Sequence, residues 1–93
     1  MTDQPVGVSF STFVMSLATT AAVHVGDIPD PASGQPHTDL EAAGHMIDIL
    51  AMLQDKTRGN LTDDEAQLVQ QLLYELRLRF VEARKGTSRI ITP

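Results

Sequence analysis

The chain has 93 residues, with 7 Lys and Arg against 12 Asp and Glu, a formal charge of -5, 42% apolar residues and no cysteine. That size supports one small domain without a deep enclosed site, because a chain this short buries only about 60–65% of its unfolded surface. The missing cysteines exclude disulfides, thiolate zinc sites and a cysteine nucleophile, so any metal would have to rest on His, Asp and Glu.

The first predicted element is a helix over about 10–25, starting at Ser9 or Ser11 and stopped by Gly26 with Pro29 beyond it. Its surroundings are free of charge, but Asp3 stands where a signal segment would be basic and no basic residue occurs before Lys56. The stretch Phe10–Val25 also carries five hydroxyls, too polar and too short for the ~20 apolar residues of a bilayer span. The expectation is a cytoplasmic protein with no membrane contact. Phe10, Phe13, Val14, Leu17, Ala21 and Val25 share one face of this helix, and Met15, Ala18 and Ala22 widen it.

A loop over 26–38 follows, with three Pro and two Gly; it is long for so small a domain and is expected to pack on the body. A second helix is predicted over 39–57, because Thr38-Asp-Leu-Glu41 has capping-box spacing. Its hydrophilic strip is narrow: Glu41, His45, Asp48 and Asp55, with Met52 among them. A second capping box, Thr62-Asp-Asp-Glu65, opens a third helix predicted over 62–85, acidic in its first turn and basic in its last before Gly86. The short link from Arg58 to Leu61 makes helices two and three an antiparallel hairpin, and the tail 86–93 is read as frayed or added as a strand.

The fold class is therefore all-α, a single three-helix domain. Helix three buries Leu68, Val69, Leu72, Leu73, Leu76, Phe80 and Ala83, yet Tyr74, Leu78 and Val81 repeat at i, i+4 and i+7 on its opposite side. The chain thus holds more apolar helix surface than three short helices hide among themselves, which predicts a homo-oligomer built by antiparallel or crossed helix packing. The small residues Ser11, Ala18, Thr19 and Ala22 make helix one the candidate centre of that assembly. The candidate interface comprises Phe10, Phe13, Leu17, Ala18, Tyr74, Leu78 and Val81, with another protein as the alternative occupant of the Tyr74 stripe. A monomer in which Ile90 and Ile91 fold back over the stripe is the competing reading.

Four blocks of the chain resemble a bacterial family of small proteins known as domain of unknown function 1844. They are Phe10-Ser-Thr-Phe-Val-Met-Ser-Leu-Ala18, His24-Val-Gly-Asp-Ile-Pro-Asp-Pro31, Gly59-Asn-Leu-Thr62 and Leu72-Leu-Tyr-Glu-Leu-Arg-Leu-Arg-Phe80. The resemblance implies a small helical protein with no assigned activity, and it carries no catalytic residues over. In some genomes it associates such proteins with neighbourhoods of translation genes.

Two groupings invite chemistry. His24, Asp27, Asp30 and His37 lie within one short stretch and offer hard ligands to a divalent cation, but they lack any known metal spacing, and a histidine in the last helical turn is accounted for by the free carbonyls there. Glu41, His45 and Asp48 align on one helix face, where a solvated strip explains them equally. No phosphate loop, nucleophile elbow or zincin-type pair is present. The expectation is a non-catalytic interaction or scaffolding protein without cofactor or metal.

Charge is uneven: residues 1–55 hold seven acidic and no basic residues, and 56–93 hold five acidic and all seven basic ones. Arg77, Arg79, Arg84 and Lys85 form a candidate basic patch, joined by Arg89 and opposed locally by Glu82. Self-complementarity with the acidic half of a sister subunit is the preferred reading, with Glu75 and Glu82 partly neutralising Arg79. The runner-up is an RNA- or ribosome-associated factor, against which the acidic whole and a single Tyr weigh. A small metal-dependent enzyme is the third class.

Overall fold

The computed structural model describes residues 9–91, with side chains from Ser9 to Lys85. Three helices account for it: α1 (Phe10–Val25), α2 (Leu40–Lys56) and α3 (Asp63–Ile91). All three pack on one another, and the described residues contain no strand. No helix among them is long and apolar enough to cross a membrane.

Helix boundaries follow local hydrogen-bond accounting. Ser9 is extended and its hydroxyl accepts from the Thr12 N–H at 3.0 Å, which satisfies one of the free donors opening α1. At the other end Gly26 adopts φ 91°, its N–H reaches Val23 O and the next N–H, of Asp27, reaches Ala22 O at 3.0 Å. This left-handed closure is open to glycine at no steric cost, so the sequence signal and the geometry coincide. The hydroxyl-rich strip of α1 bonds to its own backbone: Thr19 Oγ1 donates to Met15 O and Thr20 Oγ1 to Ser16 O.

The start of α2 corrects one detail. Asp39, and not Thr38, caps the helix, its carboxylate accepting from the Ala42 N–H at 3.1 Å. The Asp39 N–H donates in turn to the His24 carbonyl at 2.7 Å, which closes the loop 26–38 at its base and satisfies a carbonyl of the last turn of α1. A backbone group thus serves the end of α1, the task assigned above to the His24 side chain. The second capping box forms as predicted: Thr62 N–H donates to Glu65 Oε1 at 2.9 Å and Glu65 N–H to Thr62 Oγ1 at 3.2 Å.

At its far end α3 departs from expectation. It runs through Gly86 to Ile91, because a single internal glycine costs a helix only about 1 kcal/mol and does not by itself end one. With 29 residues α3 is about 43 Å long at ~1.5 Å per residue, against 17 residues and about 25 Å for its hairpin partner α2. Residues 86–91 therefore prolong α3 and add no strand; the side chains of Arg89, Ile90 and Ile91 lie outside the described residues.

The core lies between the three helices. Val14, Ala18 and Ala21 from α1, Ile47 and Leu50 from α2, and Val69, Leu73 and Leu76 from α3 form one buried cluster, with Phe10, Leu17 and Phe80 packed at its margin. Phe80 lies over the mid-helix Gly44, where an added Cβ would stand 3.6 Å from the ring, an ordinary contact. Gly44→Ala should therefore keep the packing and remove the entropic cost of a helical glycine, stabilising the domain by about 0.5–1 kcal/mol. Thermal unfolding checks this through a raised midpoint; a lowered one would mean that the ring needs the space.

Candidate interaction surface

Closure of the core on one side of α3 leaves the other side in water. Tyr74 is 69% exposed, Leu78 48% and Val81 42%, so the i, i+4, i+7 stripe is open to solvent among the described residues. Beside it an open groove of about 570 Å³ runs between α2 and α3, walled by Gln54, Gln70, Tyr74, Arg77, Leu78 and Val81. Gln54 was not foreseen, because its place beside Tyr74 depends on the register of the α2–α3 hairpin. Tyr and Arg flanking aliphatic carbons are the side chains that carry most energy when such a surface is covered.

The remaining expected interface residues lie elsewhere. Ala18 is buried in the core, and Phe10 and Leu17 pack against it and are partly covered within the chain. Ala18 and Ala22, with Thr19, border a smaller groove of about 180 Å³ facing Leu72, Leu76 and Arg79 of α3. The small side chains of α1 thus admit α3 of the same chain. Phe13 alone of this set stays half exposed, at 51%, and it does not reach the walls of the Tyr74 groove.

Along α3, Arg77, Arg84 and Lys85 lie on one side of the helix, and Arg79 stands apart from them. Arg79 Nη1 pairs with Asp27 Oδ2 of the loop at 2.9 Å, a half-exposed contact of the kind that contributes about 0–1 kcal/mol. This pair, not a link to Glu75 or Glu82, is the partner the structure gives Arg79. The Arg84 guanidinium carbon lies 5.9 Å from the centre of the Phe80 ring, within cation–π range. Arg77 borders the groove beside Tyr74, and Lys85 is exposed one turn beyond Val81.

Two of the possible ligands have structural partners. Asp27 serves Arg79, and Asp30 Oδ1 accepts from the Ala32 N–H at 2.9 Å while its backbone bonds Gln35 and Gly34 in a compact turn. Glu41, His45 and Asp48 are exposed along the outer face of α2. Among the described residues no three His, Asp or Glu side chains gather as a metal-binding group. No curated protein and no solved structure matches the chain. A family model does match, over residues 7–82, and with it the fold, the loop and the Tyr74 stripe fall within one unit: the chain belongs to the family described as domain of unknown function (DUF1844).

Proposed function

We propose that this protein is a cytoplasmic, non-catalytic helical module that acts by self-association, with the outer face of α3 as its contact surface. The observation that carries this reading is the exposed Tyr74, Leu78 and Val81 stripe on a helix whose opposite face already completes a core. Covering those side chains removes apolar surface from water at about 25 cal/mol per Å², and the helix is already ordered by α1 and α2, so little further chain entropy is lost. The chemistry of a binding module also agrees with a surface that presents Tyr and Arg beside an open groove and no convergent nucleophile, base or phosphate cradle.

Sedimentation equilibrium of the full chain across the micromolar range tests the proposal. The expected result is a mass that rises with concentration toward a multiple of the chain, and a loss of self-affinity of at least about tenfold in Leu78→Glu, which places an unpaired charge in the contact. Circular dichroism should show unchanged helix content, since Leu78 points away from the core cluster. A wild-type chain that stays at monomer mass, or a Leu78→Glu variant that associates as the wild type does, overturns it.

A further inference from the structure

The stripe extends into a longer pattern. Gln67, Gln71, Tyr74, Leu78, Val81 and Lys85 follow one another at alternating spacings of four and three along α3, the repeat of a two-helix seam, polar at both ends and apolar at its centre. All six are exposed. The residues bordering that seam are segregated by sign. Glu75 and Glu82 lie along one edge, and Arg77 and Arg84, in line with Gln70, lie along the other; all are exposed.

That segregation decides orientation. Two helices packed antiparallel along this seam bring like edges together in any register, Glu against Glu and Arg against Arg. Packed parallel, each chain's acidic edge meets the partner's basic edge, and the in-register spacing of five residues sets Arg77 of one chain against Glu82 of the other, twice by symmetry. Arg84 is already drawn over Phe80. The edge interaction near the seam's centre therefore falls to Arg77 and Glu82. Lys85 against Lys85 ends the apolar contact, and α3 needs no ordering to take part, unlike an isolated helix of similar length.

We infer that α3 pairs with α3 of a second copy in parallel and in register along the Gln67–Lys85 seam, with Arg77 and Glu82 selecting that orientation. This rests on the self-association proposed above and fixes its geometry, replacing the antiparallel or crossed packing expected from composition of the faces alone. A homodimer follows, with its twofold axis along α3, so that both copies present their loops 26–38 toward the same end of the assembly.

The experiment uses the full chain, and the absence of cysteine makes single thiols unambiguous. Gln67→Cys lies at the exposed start of the seam. In the parallel register it meets its own copy and should form an intermolecular disulfide in mild oxidant, whereas an antiparallel dimer centred on Leu78 separates the two positions by about 33 Å at ~1.5 Å per residue. Alongside it, Arg77→Glu and Glu82→Arg should each weaken the dimer severalfold in sedimentation equilibrium, and the double exchange Arg77→Glu/Glu82→Arg should restore it. Disulfide capture together with that restoration is the expected result. Wild-type dimers without capture of Gln67→Cys, or single exchanges that the double exchange fails to rescue, overturn the parallel seam while leaving self-association standing. A wild-type chain at monomer mass throughout overturns both.

Discussion

Leu50→Ala is expected to remove about 2–5 kcal/mol of folding stability, the range for emptying a fully enclosed leucine site, where lost transfer energy and an unfilled cavity add. Leu50 has no solvent exposure and sits in the close-packed cluster to which α1, α2 and α3 all contribute, where relaxation around a deleted side chain is only partial. Against a total of about 5–14 kcal/mol for a domain this long, that loss is large, and at roughly 4–8 °C per kcal/mol it lowers the thermal midpoint by about 10–40 °C. The control is Leu78→Ala, the same chemical change on the outer face of α3, where it should cost less than about 1 kcal/mol in the monomer. Since self-association would stabilise the folded chain by mass action, both variants are to be unfolded by urea over a dilution series and compared at the dilute limit. A Leu50→Ala loss under about 1 kcal/mol would mean that the three helices do not close around this position.

How much of this was legible beforehand depends on the range of the interaction. Contacts within four or five residues were readable: the Thr62–Glu65 box makes both of its hydrogen bonds, and Gly26 stops α1 with the positive φ that its position required. The Tyr74 stripe was readable too, because periodicity alone separates it from the Leu73 face. Where two local signals compete, long-range structure decides. Thr38 and Asp39 are both good caps, and Asp39 takes the task because its N–H is drawn to His24 O across a loop of 13 residues. Arg79 has acidic neighbours on its own helix, but the loop delivers Asp27 to it, which no spacing along α3 reveals. Apolar faces could be drawn on α1 without knowing which neighbour would cover them. Ala18 and Leu17 serve the core, and the exposed apolar stripe is on α3.

Gly26→Ala should cost about 1–3 kcal/mol, from two sources that can be separated. The first is conformational: at φ 91° a Cβ crowds the following carbonyl, a penalty of about 1–2 kcal/mol for an L-residue in left-handed geometry. The second is local contact, since a Cβ at this position would stand 2.7 Å from Thr38 Oγ1, closer than the two atoms can approach. Thr38 is solvent-exposed and can turn its hydroxyl away, but its backbone is held next to Asp39, whose N–H is bonded to His24 O at 2.7 Å. The double variant Gly26→Ala/Thr38→Ala should therefore recover the contact part of the loss and keep the conformational part, and urea unfolding of both variants reads the partition. Full recovery would mean that the backbone at 26 relaxes freely, and no loss in the single variant would mean that the helix does not end in this closure. Thr38→Ala alone is expected to be near neutral, because the cap of α2 is the Asp39 carboxylate. Asp27, the residue after Gly26, pairs with Arg79 of α3, so the closure at Gly26 also places the carboxylate that meets that guanidinium.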